Sequence, residues 1–121
     1  MQSIAVIGGG NLAWHLTHVL QNARREVVLL RRAAEQEDWP VPVFGHNWLD
    51  ANTPNLVFLA VPDDHIYKVS LRLQKWLPAF VPVIHTSGAT PVTRIDDHFR
   101  QRGALWPIRS LRRGEAVTDW R

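Results

Sequence analysis

The stretch Ser3-Ile4-Ala5-Val6-Ile7-Gly8-Gly9-Gly10-Asn11-Leu12-Ala13 decides how the rest of the chain is read. Ile4 to Ile7 has the length and continuity of a strand buried on both faces. Three glycines stop it, and a helical pattern begins at once. From Asn11 to about Ala23, the residues Leu12, Leu16, Val19 and Leu20 share one face. A strand that passes through so bare a turn into a helix is the opening of a dinucleotide-binding βαβ unit, whose helix N-terminus points at a pyrophosphate. In the spacing Gly8-x-Gly10-x-x-Ala13, Gly8 gives the tight turn and Gly10 lets the main chain approach the phosphates. Ala13 lets the helix pack against the strand. The bare pattern is common, and its force comes from the strand and helix on either side. The bland alternative is a tight strand-to-helix turn with no ligand.

Working outward, Glu26 to Leu30 ("EVVLL") is a second buried strand, and polar Arg31 to Asp38 is expected to turn into a short helix. Val41 to Phe44 is a third strand, which Pro40 and Pro42 demote to a short edge element. Asn55 to Val61 ("NLVFLAV") is the clearest strand after the first. Asp63 is placed to cap the helix that follows, which runs to about Trp76 with Ile66, Val69, Leu73, Trp76 and Leu77 on one side. Val81 to His85 is a further strand, "TSGATP" a loop, and Val92, Ile95 and Phe99 fall at helical spacing. Gly103 to Ile108 ends the series as a strand broken by Pro107. Strands alternating with helices predict a doubly wound, mainly parallel sheet: a three-layer α/β/α Rossmann NAD(P)-binding fold. Residues 1–111 are expected to form the dinucleotide-binding domain, and 112–121, which have no partner element, to begin a linker to a further segment.

Composition agrees with this and narrows it. A chain of 121 residues with 45% hydrophobic and 21% charged residues suits one ordinary globular domain. No apolar run reaches the length of a membrane span, and no signal peptide is recognisable. Without cysteine there are no disulfides or thiolate metal sites, which fits a cytoplasmic location. The formal charge is +3, and half of the 12 arginines lie between Arg100 and Arg121. Such a patch suits nucleic acid, a phosphorylated ligand or an acidic neighbouring domain, and by default it is a solvated face. No helix-turn-helix, aromatic RNA platform or zinc pattern accompanies the arginines, so nucleic acid is not the expected partner.

The position after the second strand distinguishes the two nicotinamide dinucleotides. NAD sites usually place Asp or Glu there to bind the ribose hydroxyls, whereas this chain has Arg31 and Arg32. A carboxylate repels a 2′-phosphate and a guanidinium clamps it, so NADP(H) is expected over NAD(H). The competing reading is two arginines that merely solvate a strand end.

Ligands of open α/β sheets bind beyond the carboxyl ends of the strands. There, Val61 and Pro62 offer an apolar wall to the nicotinamide, and Thr86, Ser87 and the Gly88 amide offer hydrogen bonds. Asp63 is a helix cap before it is a ligand. His85 is the tempting acid–base candidate, because histidine titrates near neutrality, but a histidine ending a buried strand more often only satisfies hydrogen bonds. His15 and His18 lie three apart, the remaining histidines are scattered, and no metal set is expected. Of six tryptophans, Trp76 and Trp106 fit the core, while Trp14, Trp39 or Trp48 would mark an interface if exposed.

Taken in order, "IAVIGGGNLAWHL", "NLVFLAVPDDHI", "VIHTSGATP" and "GALWPIRSL" resemble the N-terminal domain of a group of Rossmann-like oxidoreductases. These are related to deazaflavin-dependent NADP oxidoreductases and pyrroline-5-carboxylate reductases, and look most like members carrying a C-terminal domain of unknown function 2520. The resemblance implies a fold binding NADP(H), followed by a helical domain that dimerises and completes the active site. It places Gly8, Gly9, Gly10, Asn11 and Leu12 along the pyrophosphate and Arg31 and Arg32 at the 2′-phosphate. It places Val61 and Pro62 by the nicotinamide and ribose, with Thr86, Ser87 and Gly88 nearby, and leaves His85 and Ser87 as weak catalytic candidates. Trp106, Pro107, Ile108 and Arg109 depart from the pattern of similar proteins, which leaves the substrate open. The expected function is the cofactor domain of an NADP-dependent oxidoreductase acting on a small molecule, in a homodimer. The alternative is a non-catalytic module that binds or senses the nucleotide.

Overall fold

A computed structural model describes residues 3–23, 26–32, 39–88 and 90–105 of the chain. The strands are β1 (Ser3–Gly8), β2 (Glu26–Leu30), β3 (Val43–Phe44), β4 (Leu56–Ala60), β5 (Val83–His85) and β6 (Arg102–Ala104). They form one sheet in the order β3-β2-β1-β4-β5-β6, and every pairing is parallel. This is the Rossmann strand order, in which the direction of winding reverses between β1 and β4. The helices are α1 (Asn11–Asn22), between β1 and β2, and α2 (Ile66–Leu73), between β4 and β5.

Successive residues of a strand point to opposite faces, so the central strands are apolar throughout and feed two cores. Ile4, Val6, Val27, Leu29 and Phe58 pack with Ala13 and Leu16 of α1. Ala5, Ile7, Val28, Leu30, Val57, Leu59 and Val83 face the other way, onto Ile66 and Leu73 of α2. Two helices on opposite faces of one sheet make the expected three layers. Leu77, Ile95 and Phe99 extend the second core and are buried to within 1%. Ala13, fully buried at the foot of α1, is the small residue that lets the helix lie close to the sheet.

Two expectations are corrected. Val92, Ile95 and Phe99 do not form a helix: only a 3-10 turn over Val92–Arg94 is made. Pro91 starts that turn, and the chain leaves helical geometry at Ile95, while Ile95 and Phe99 are still driven inward by their apolar side chains. Asp63 is no side-chain cap, because a 3-10 turn over Asp63–His65 precedes α2 and puts His65 at the capping position. The default reading of the tryptophans as packing residues agrees with the structure: Trp39 is core, 6% exposed beside α1, and Trp14 and Trp48 are partly buried against the two cores. The helix expected over Arg31 to Asp38 lies outside the described residues from 33 on, as does everything from Trp106 to Arg121, including the linker boundary. Among the described residues, no helix is long and apolar enough to cross a membrane.

Candidate functional site

The reversal between β1 and β4 opens a cleft at the carboxyl ends of the strands, where open sheets take their ligands. The cleft has a volume of about 870 Å³. Its floor is Ile7 and the run Gly8 to Leu12, and one wall is Arg31 and Arg32 beyond β2. The opposite wall is Ala60 to Asp63, with Thr86 above it.

Gly8 has φ of +150°, a conformation that side chains disfavour, and a Cβ there would overlap the Ala60 carbonyl. The turn can therefore be built tightly against β4 only with glycine. Gly10 differs: its φ is ordinary, and a Cβ would meet nothing within 4 Å. The bareness of Gly10 serves no protein contact and leaves room in the cleft. Gly10 is also the N-cap of α1, so the cap itself offers no side-chain acceptor, and the first turn holds no acidic residue. The first-turn N–H groups of a helix and its dipole together favour an anion.

Arg31 follows from the β2 register. Its N–H donates to the Phe44 carbonyl at 3.0 Å, and its guanidinium lies 5.5 Å from the centre of the Trp39 ring. A Cβ on Gly9 would sit 3.5 Å from Arg31 Nε and Nη2, so the guanidinium lies along the glycine turn. Arg31 Nη1 is buried and has no hydrogen-bond partner among the described residues. A buried charged donor without an acceptor is costly, and an anion held between it and α1 satisfies it. Arg32 is exposed on the same rim.

Other lining residues were not singled out by the sequence: His46 from a 3-10 turn over His46–Asp50, and His65, Lys68, Val69 and Arg72 around α2. Lys68 and Arg72 are four apart and so share one face of α2. The only hint in the sequence was that α2 carries cations on the side opposite its apolar stripe. Among the described residues that line the cleft, Arg31, Arg32, Lys68 and Arg72 are cationic and Asp63 is the only carboxylate. Burial, then Arg72 and Arg32, hold the His46 pKa below its ordinary value of 6.5. His46 thus resists protonation beside these two cations.

Of the residues expected beyond β5, Thr86 lines the cleft and its hydroxyl donates to the Leu59 carbonyl at 2.9 Å. Ser87 and Gly88 do not line it. The Ser87 and Thr90 hydroxyls bond each other at 2.9 Å. His85 is fully buried, and its Nδ1 accepts the Ser87 N–H at 3.1 Å. In the neutral ring the proton then resides on Nε2, which is buried with no partner among the described residues. His85 and Ser87 thus brace the β5 loop behind the cleft wall.

The sequence matches no family model and no curated protein. Its fold matches a protein of Bacteroides fragilis assigned as an NADP oxidoreductase, with a TM-score of 0.79 and 19% identity over 96% of this chain and 47% of that one. It also matches a dimeric ketopantoate reductase from Staphylococcus aureus, with a TM-score of 0.61 and 19% identity over 98% of this chain and 48% of the other. The chain therefore spans about half the length of either structure.

Proposed function

We propose that this chain is the NADP(H)-binding domain of an oxidoreductase that moves hydride between the nicotinamide and a small substrate. The observation that carries this is the buried Nη1 of Arg31, without a hydrogen-bond partner among the described residues and held near a helix N-terminus capped by glycine, in a cleft rich in cations. Gly8, Gly9, Gly10, Asn11 and Leu12 hold the pyrophosphate with backbone amides, and Arg31 and Arg32 take the 2′-phosphate. Val61 and Pro62 pack against the nicotinamide ring and Thr86 fixes the loop above it, with Ser87 and Gly88 behind. Hydride donation or acceptance is the nicotinamide's chemistry, and the chain supplies orientation and electrostatics. The two solved structures carry names of the same reaction class and are each about twice as long. That supports a substrate-holding domain beyond residues 112–121 and a homodimeric whole protein.

Titration of the chain with NADPH and NADH, followed by nicotinamide fluorescence, tests the proposal. Tighter binding of NADPH is expected, and equal affinities would remove the phosphate clamp. The burial of His85 and Ser87 away from the cleft favours a second reading, a binding or sensing module without its own acid or base. Hydride transfer by the whole protein, with any substrate, eliminates that second reading.

A further inference from the structure

His46 is one of the titratable groups of the cleft that the proposed cofactor contacts leave without a role. It stands on the 3-10 turn between β3 and β4, a position that chain order alone would not bring to α2. The cleft nonetheless unites it with Arg32 beyond β2 and with Lys68 and Arg72 of α2. Resting on the function proposed above, we propose that His46 is a specificity residue for the phosphorylated cofactor: it is neutral in the free cleft and takes a proton from solvent when a phosphomonoester enters beside Arg32 and Arg72.

The charges around it make this the favoured state. A phosphomonoester carries about −1.5 to −2 charges near neutral pH and offers three acceptor oxygens. In the free cleft, Arg32 and Arg72 oppose a further positive charge on His46. A dianion beside them offsets the two opposing charges, and the imidazolium gains an acceptor for a charge-assisted bond. The surrounding groups agree with this. Arg31 and Arg32 face the cleft from β2, Lys68 and Arg72 from α2, and His65 and Asp63 from the turn before α2. On the turn that carries His46, the Asp50 carboxylate is engaged by the Trp76 indole N–H at 2.6 Å. Among the described residues that line the cleft, Asp63 alone is negative, so an entering phosphate brings the charge that favours the imidazolium. NADH lacks the 2′-phosphate and leaves His46 neutral.

Linkage fixes the direction. If the occupied cleft raises the pKa of His46, NADPH binding strengthens as pH falls through that raised value, and NADH binding does not. The phosphate's own second ionisation works oppositely, since cations favour its dianion and release its proton. The sign of proton exchange therefore identifies the titrating group.

The test uses the whole chain and nuclear magnetic resonance of its six histidines, with His46 assigned by the signal missing in His46→Gln. Saturating NADPH or adenosine 2′,5′-bisphosphate is expected to move the His46 midpoint to higher pH, while NADH leaves it in place. The NADPH-to-NADH affinity ratio is expected to fall several-fold between roughly pH 6.5 and pH 8, and to stay flat in His46→Gln. A bound NADPH with an unmoved His46 midpoint overturns this inference and leaves the cofactor assignment standing. Failure of both dinucleotides to bind overturns the cofactor assignment, and this inference with it.

Discussion

Gly8 of β1 stands against Ala60 of β4 so closely that a methyl group on Gly8 would overlap the Ala60 carbonyl oxygen. The two residues are register partners at the cleft ends of adjacent strands, so any widening there moves the cleft floor away from its wall. Gly8→Ala is expected to cost at least ~2 kcal/mol, from the strained backbone and the forced separation together. Thermal unfolding of the variant beside the parent chain measures it. An unchanged melting temperature would mean that the two strands part without cost.

Gly10→Ala makes the complementary case. The added methyl group meets no protein atom, and the residue keeps an ordinary backbone conformation. Its stability cost should remain below about 1 kcal/mol, the difference between glycine and alanine as helix caps. Dinucleotide affinity should nevertheless fall, because the methyl group occupies the space left for the phosphates. Calorimetric unfolding and NADPH titration of the same sample separate the two effects.

Replacing Arg31 and Arg32 together by alanine is expected to weaken NADPH binding about tenfold to a hundredfold, the range for lost hydrogen bonds to a charged group. NADH binding should change much less. Arg31→Ala alone also removes the cation from the Trp39 ring, so the single variants should rank unequally. Fluorescence titrations at fixed ionic strength decide, since salt screens such contacts.

The free chain should lose stability on acidification in a way that depends on His46. Its folded pKa lies below the unfolded value near 6.5, so as pH falls below that value the unfolded chain binds a proton that the folded chain refuses. Stability from this group is thus intact above about pH 6.5 and declines until pH passes the folded pKa. Melting temperatures of the parent and His46→Gln across this interval should diverge, with the parent falling faster. Arg72→Ala should narrow the divergence by removing one of the two opposing cations.

Much of this architecture was legible because its signals are local. Ile4 to Ile7 reads as a buried strand, and its alternating exposure to two cores is why every residue in it is apolar. Gly8 and Gly10 are marked by one short motif, and Arg31 by its place after the second strand. Lys68, Arg72 and His46 were not legible, because only the parallel crossovers bring the third connection and α2 to the same cleft. Their spacing says which residues share a helix face, and nothing about what that face overlooks. His85 shows the same boundary between local and tertiary signals. A strand end is visible in sequence, but which side of the sheet its last residue faces depends on register, here set by pairing with Leu59 and Ala104. The pattern Val92, Ile95 and Phe99 reported burial correctly and helix incorrectly: the chain is extended again at Ile95, and the Ile95 and Phe99 side chains still reach the core.

The central place of β1 has a consequence for synthesis. The Ser3 amide reaches the Asn55 side chain across 52 positions, and Gly8 finds its partner only at Ala60. Until the ribosome has released that later strand, the first ββ pairing offers a raw hydrogen-bonding margin, the sort of surface on which nascent chains stick to one another. Nucleotide in the surrounding medium cannot rescue it, because half of the binding crevice has yet to be translated.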